Sequence, residues 1–197
     1  MNENISLHEG FINDEMEEES IEIVDEELIK KQRIKELQSK IGRRSKQKGA
    51  KFENDLRTKI ASYFGMNRED CFVLAKNHPQ EGQSAGDLIP VKKMAQLWHS
   101  RKFDAIEAKN REEWAFSQFF NGDIKKNPLY KYWIKSNVDT NSINSLVFFK
   151  KNNIPTFVFH ERDGNVCYGD TFFQTSIEGK TFIIQTLGSF LKENFPL

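Results

Sequence analysis

The chain has 197 residues, with 29 basic and 29 acidic side chains and a formal net charge of zero. This length predicts one domain with an appendage and leaves room for a sizeable core. No apolar run approaches the roughly 20 residues that span a membrane, and no secretory signal begins the chain. Cys71 and Cys167 match neither a zinc site nor a disulfide framework, so we expect reduced thiols in a cytoplasmic protein.

The balanced charge conceals two oppositely charged parts. Residues 1–27 contain 11 acidic side chains and no Lys or Arg, whereas the remainder has a net charge of +11. We expect residues 1–27 to form an acidic arm that is disordered or weakly helical. The arm is either a solubilising tail or a mask that covers the basic domain until DNA displaces it. The basic domain itself is consistent with a polyanionic partner.

Residues 28–46 are predicted to form a basic helical linker. Ile34, Leu37 and Ile41 share one face of a helix over residues 28–41. A basic patch follows, made of Arg43, Arg44, Lys46, Lys48 and Lys51. This patch is either a solvated linker or a flexible segment that contacts DNA phosphates.

A second helix is predicted over residues 47–64. Its apolar side chains fill one arc, roughly 120° wide at about 100° per residue; they are Phe52, Leu56, Ile60, Tyr63 and Phe64. Glu53 falls inside this arc, where an unpaired charge would be costly to bury. We therefore expect Glu53 to meet a cation or a buried Lys, unless it lies at the helix edge and reaches water.

Residues 47–197 are predicted to form one α/β or α+β domain around a mixed sheet. Strands are predicted at 71–76, 87–91, 103–109, 146–150, 156–161, 166–168 and 181–185. Helices are predicted at 112–120, 128–137 and 187–194. Residues 78–86 are predicted to form a loop, and residues 92–101 have no clear pattern.

The chemistry is carried by an Asp before one strand and a Glu-x-Lys in the next. Side chains alternate faces along a strand, so Glu107 and Lys109 project from the same face. An antiparallel pairing of the two strands would bring Asp87 beside Glu107. If the helix over 47–64 packs on this sheet, Glu53 reaches the same edge. Three carboxylates would then converge on one or two Mg²⁺ ions.

Two further groups complete this predicted site. Lys109 would neutralise charge that develops on the phosphate and orient the attacking water. The carbonyl oxygen of Ala108 would complete the metal coordination, since Mg²⁺ accepts backbone oxygen. Such a site hydrolyses phosphodiester bonds.

These motifs resemble the PD-(D/E)xK nuclease superfamily, whose fold is that of restriction endonucleases. Residues 45–53, the run SKQKGAKFE, are similar to the opening helix of archaeal-type Holliday-junction resolvases. Residues 103–109, the run FDAIEAK, resemble RecU-type resolvases and related phage nucleases. The resemblance covers about residues 43–170. Gly86 stands where the motif has Pro, and residues 91–102 are longer than a tight hairpin.

The resemblance implies roles for four residues. Glu53, Asp87 and Glu107 correspond to metal ligands, and Lys109 corresponds to the catalytic lysine. The cofactor it implies is Mg²⁺, for which Mn²⁺ substitutes. The resemblance therefore implies a DNA endonuclease for branched DNA, acting in the cytoplasm of a bacterium or a phage-infected cell. Symmetric cutting of two strands implies a homodimer.

Two alternatives stay open at this point. The same site would serve a nuclease that acts on duplex, flap or single-stranded DNA in restriction, repair or phage replication. A member of another class, a non-catalytic nucleic-acid-binding protein, would use the same fold without cleaving.

Weaker candidates surround the predicted site. Ser84 lies in the loop before Asp87, where it could contact the scissile phosphate. Asn110 and Arg111 follow Lys109 and are candidates for backbone phosphate contacts or for ordinary helix capping. Gln118, Lys76 and His78 are further possible contacts. Tyr132 and Trp133 are expected in the core or a dimer interface rather than as base-stacking platforms.

Overall fold

The computed structural model of the chain describes residues 13–75, 86–103, 105–111, 124–141, 143–162 and 170–196, with the backbone alone at residues 13–25 and Lys92. The chain divides into two compact units, Met1–Gln47 and Lys48–Leu197. Helix α1 spans Asn13–Tyr63, so the helices predicted at 28–41 and 47–64 both belong to it. Residues 13–27 of the acidic arm are helical, and residues 1–12 lie outside the described residues.

The second unit is built on a seven-stranded mixed sheet with the order β1-β2-β3-β4-β5-β7-β6. The strands are β1 (Phe72–Leu74), β2 (Leu88–Pro90), β3 (Ile106–Asn110), β4 (Leu146–Lys150), β5 (Phe157–Arg162), β6 (Thr171–Ile177) and β7 (Lys180–Thr186). Strands β3 and β4 pair in parallel, and the other neighbours pair antiparallel. The predicted class, an α/β domain with a mixed sheet flanked by helices, is confirmed.

Besides a 3₁₀ helix at Ile124–Lys126, four further α-helices accompany α1 in the described residues. They are α2 (Arg68–Cys71), α3 (Lys92–Ser100), α4 (Pro128–Thr140) and α5 (Leu187–Asn194). Helix α4 begins where the Asn127 side chain accepts a hydrogen bond from the Leu129 N–H. It ends at Asn141, whose φ of 50° is left-handed. None of the helices in the described part of the chain is long and apolar enough to cross a membrane.

Some elements differ from the sequence expectations. Cys71 belongs to α2 rather than to a strand, and the segment without a clear pattern at 92–101 contains α3. Strand β6 was not predicted. The helix predicted at 112–120 and the strand predicted at 166–168 lie outside the described residues.

The sheet separates two apolar clusters, and β4 contributes to both. Leu146 and Phe148 lie in the first cluster, whereas Val147 and Phe149 lie in the second. The first cluster contains side chains from α1, α3 and α5: Phe52, Leu56, Ile60, Met94, Trp98, Phe190 and Leu191. The second contains Leu129 and Trp133 of α4. Each fully buried Leu or Phe stabilises the fold by about 1.5–3 kcal/mol.

The same alternation sets the direction of the side chains on β3. Ile106 and Ala108 belong to the first cluster, beneath α1 and α3. Glu107 and Lys109 therefore project to the opposite face of the sheet, which α4 covers. In the parallel register, Glu107 is the partner of Val147 and Lys109 is the partner of Phe149, both in the second cluster.

Candidate active site

Gly86 fixes the position of Asp87 at the start of β2. Gly86 has a φ of 70° and forms a parallel bridge with Ile106 of the neighbouring strand. A Cβ atom at Gly86 would lie 2.5 Å from the carbonyl oxygen of Ile106. Glycine alone permits this combination of left-handed backbone and close approach. The backbone conformation at position 86 thus explains why glycine precedes Asp87 here, where the superfamily motif has Pro.

Strands β2 and β3 place Asp87 level with Glu107. The antiparallel register sets Leu88 opposite Ile106, so Asp87, one residue before Leu88, faces Glu107, one residue after Ile106. The backbone N–H of Asp87 donates to the Ile106 carbonyl at 2.7 Å. A carboxylate oxygen of Asp87 accepts from the Ala108 N–H at 2.7 Å and from Lys109 Nζ at 3.3 Å. Lys109 also forms an ion pair with Glu107.

The structure thus brings together three of the four residues that the sequence predicts as catalytic. Asp87, Glu107 and Lys109 form one half-buried cluster, and the side chain of Glu107 is only 17% exposed. A single ammonium bridges two carboxylates. The space between these carboxylates therefore favours a positive charge. The catalytic roles of the three residues stay predictions.

The cluster shifts the ionisation of two of its members. Burial, followed by the charge of Asp87, raises the pKa of Glu107, although Lys109 opposes this shift. Burial by itself would lower the pKa of Lys109, but Asp87 and Glu107 outweigh it and the pKa is raised. Lys109 therefore stays protonated at neutral pH.

The backbone N–H and C=O of Ala108 point toward Asp87 and β2. Its N–H donates to the Asp87 carboxylate, and the N–H and C=O of one residue in a strand point to the same side. The carbonyl oxygen of Ala108 is thus directed toward the Asp87 side of β3. Two carboxylates and a backbone carbonyl are oxygen donors of the kind that hard cations prefer, so this donor set fits Mg²⁺.

Glu53 lies on a different element of the fold from the other three residues. It is half-buried on α1, which packs Phe52, Leu56 and Ile60 into the first apolar cluster, on the face opposite Glu107 and Lys109. Among the described residues, no three His, Cys, Asp or Glu side chains lie close enough together to hold a metal ion. The expected convergence of three carboxylates is not observed. The role of Glu53 as a metal ligand stays a prediction.

Sequence reasoning missed the contribution of α4 to the site. The ring of Tyr132 lies 5.5 Å from Lys109 Nζ and 5.3 Å from the guanidinium carbon of Arg111. Lys135, one turn further along α4, adds to the charges that lower the pKa of Glu107. Tyr132, which also packs against the second cluster, and Lys135 therefore lie on the part of α4 that borders the site. Their spacing of three residues on a helix after Glu-x-Lys is the signal that could have identified them.

We expect Tyr132→Leu to slow DNA cleavage several-fold, with Tyr132→Phe close to wild type. A cation over an aromatic ring gains about 0.5–2 kcal/mol, and phenylalanine keeps the ring while leucine does not. Single-turnover cleavage at saturating DNA would measure both variants. Equal losses in the two variants would instead assign the effect to the Tyr132 hydroxyl.

The remaining predicted contacts fall into two groups. Lys76, His78, Ser84 and Gln118 lie outside the described residues. The basic patch is exposed on α1, so it is helical rather than a flexible segment; its members are Arg43, Arg44, Lys46, Lys48 and Lys51. Asn110 ends β3, and the Arg111 N–H donates to the Lys150 carbonyl at 3.1 Å. Contact of these residues with DNA stays a prediction.

The chain was compared with known families, curated proteins and solved structures. The family model described as "Phage putative PDDEXK endonuclease" matches residues 44–192. No curated protein and no solved structure matches the chain. The matched span contains all seven strands and the cluster of Asp87, Glu107 and Lys109. Since it also covers well over half of the chain, the protein belongs to this endonuclease family of the PD-(D/E)xK superfamily.

Proposed function

We propose that the protein is a metal-dependent DNA endonuclease that hydrolyses phosphodiester bonds at the Asp87, Glu107 and Lys109 cluster. The observation that carries this proposal is the half-buried ammonium held between two carboxylates on neighbouring strands. Membership in an endonuclease family supports the same reaction.

Each member of the cluster has a distinct proposed role. Asp87, Glu107 and the Ala108 carbonyl would hold Mg²⁺, for which Mn²⁺ could substitute. When bound, such an ion activates water and stabilises the attacking and leaving oxygens of an in-line displacement. Lys109, which contacts both carboxylates, would stabilise the charge that develops on the phosphate and orient the attacking water. Glu53 is proposed as a further ligand because the resemblance of residues 45–53 to the opening helix of resolvases implies a metal ligand at that position.

The proposed substrate is branched DNA of the Holliday-junction type, cut by a homodimer in the cytoplasm of a bacterial or phage-infected cell. The resemblance of residues 45–53 and 103–109 to resolvases supports this choice. The exposed basic residues of α1 would contribute phosphate contacts. Because the chemistry takes place at the phosphate, the same site would also serve duplex, flap or single-stranded substrates.

A cleavage panel tests this proposal. Four-way junctions, flaps, linear duplex and single strands would each be incubated with Mg²⁺, Mn²⁺, Ca²⁺ or a chelator, with Glu107→Gln as the inactive control. We expect cleavage with Mg²⁺ or with Mn²⁺, but not with Ca²⁺ or the chelator. In the junction we expect paired symmetric cuts. Equal cleavage of every DNA form would reject junction selectivity but keep the nuclease. Binding without cleavage under every condition would favour a non-catalytic DNA-binding protein.

A further inference from the structure

Arg111 extends the row of charged side chains on β3 beyond Lys109. Its backbone N–H donates to the Lys150 carbonyl, so the pairing with β4 continues one residue past the end of β3. Its guanidinium carbon lies 5.3 Å from the Tyr132 ring, which also contacts Lys109. Arg111 is therefore on the same face of the sheet as Glu107 and Lys109, and it is exposed.

Lys135 lies near the opposite end of this row. It follows Tyr132 by one turn of α4, and α4 packs against β3. Its charge lowers the pKa of Glu107, against the upward effect of burial. Since Tyr132 lies at the Arg111 end and Lys135 at the other, α4 runs opposite to β3 across this face. The side chain of Lys135 is 72% exposed.

The row from Lys135 to Arg111 matches a short length of one DNA strand. The Cα atoms of residues 107 and 111 are about 13 Å apart, at about 3.3 Å per residue. One strand of B-DNA has a phosphate for about every 3.4 Å of the helix axis, so this length covers about four nucleotide steps. We propose that Arg111 and Lys135 bind the phosphates on the two sides of the scissile phosphate, with the cut strand lying along β3 beside α4. This path rests on the proposed cleavage site and adds how the substrate crosses it.

The contacts of these two cations are compatible with binding a phosphate. Lys135 pairs with Asp139 at 3.9 Å, and both side chains are exposed. Exposed pairs of this i,i+4 kind are weak, so a phosphate can replace the carboxylate. Arginine can stack on an aromatic ring and still donate to a phosphate, as Arg111 would from its place beside Tyr132.

The salt dependence of DNA binding tests this path without requiring cleavage. The dissociation constant of a labelled linear duplex would be measured in Ca²⁺ over a series of salt concentrations. Arg111→Gln and Lys135→Gln should each raise this constant several-fold and reduce its logarithmic salt slope by about 1, the value for one lost phosphate contact. Arg111→Lys keeps the charge and should keep the slope. Lys59→Gln is the matched control and should bind like wild type, because Lys59 is exposed on α1, which packs on the other face of the sheet.

Asp139→Asn tests the same contact in the opposite direction. Removal of this carboxylate frees Lys135, so the variant should bind DNA more tightly, and the gain should be much smaller when Lys135→Gln is also present. Thermal melting would verify that every variant is folded.

Wild-type affinity and salt slope in Arg111→Gln or Lys135→Gln, or an equal loss in Lys59→Gln, would overturn the proposed path. A gain from Asp139→Asn that is undiminished by Lys135→Gln would also overturn it. The expected losses in a protein that cuts no DNA would instead support the phosphate contacts and reject the proposed nuclease activity.

Discussion

Lys109→Ala is expected to slow DNA cleavage severely while the protein still binds DNA. Lys109 is the described cation that contacts both Asp87 and Glu107, and alanine leaves these two carboxylates facing each other. Loss of one group that stabilises transition-state charge typically slows a reaction by about 100- to 1,000-fold. Without the ammonium, the pKa of Glu107 should rise further, because Lys109 is a group that lowers it.

Single-turnover cleavage and a DNA-binding assay would be run side by side on this variant. Lys131→Ala is the matched control, since Lys131 is exposed on α4 and its removal deletes the same charge outside the cluster. We expect the control to cleave at the wild-type rate. Cleavage by Lys109→Ala at close to the wild-type rate would remove Lys109 from the catalytic group. A parallel loss of cleavage in Lys131→Ala would point instead to general electrostatic attraction of DNA.

Gly86→Ala should combine a large loss of stability with a loss of cleavage. The new Cβ would lie 2.5 Å from the Ile106 carbonyl oxygen, at a residue with a φ of 70°. Either the bridge to β3 opens or the backbone shifts, and both outcomes move the Asp87 carboxylate away from Ala108 and Lys109. We expect the free energy of unfolding to fall by about 3 kcal/mol, within the upper range for single substitutions.

Gly65→Ala separates the two causes of this loss. Gly65 has a similar φ of 64°, but a Cβ there would meet no atom within 4 Å. That variant should lose only the about 1–2 kcal/mol of a left-handed non-glycine residue and should keep full cleavage. Denaturant unfolding monitored by fluorescence would measure both variants. Equal losses in the two proteins would show that the close contact with β3 is not what requires glycine at position 86.

The elements that sequence predicted best are those with strong local signals. Strand β4 (Leu146–Lys150) and helix α5 (Leu187–Asn194) have the predicted bounds. Strand β4 is a short apolar run buried on both faces, and α5 begins at a Thr186 side chain that accepts from the Ser189 N–H. Two elements with weak signals were missed. Helix α3 has no side-chain cap, and β6 is mostly half-buried with polar residues on both faces.

The candidate site shows the same division between local and tertiary information. The cluster of Asp87, Glu107 and Lys109 follows from strand alternation and one antiparallel pairing, both of which are readable from the sequence. The position of Glu53 depends on which face of the sheet α1 covers. The position of Tyr132 depends on how α4 packs across the other face. Local patterns do not determine either of these packing choices.

The backbone of Asp87 forms hydrogen bonds on both sides, with residues near one edge of the sheet. Its N–H donates to Ile106, and its carbonyl accepts from the Ala75 N–H at 3.1 Å, next to β1. Strands β1 and β2 have three residues each, and β1 is the outermost described strand at this margin. Short marginal strands open before the centre of a sheet does. Heat should therefore inactivate the enzyme by fraying at this margin below the temperature of global melting, and amide exchange at Ala75 and Asp87 should speed up before exchange at Phe148.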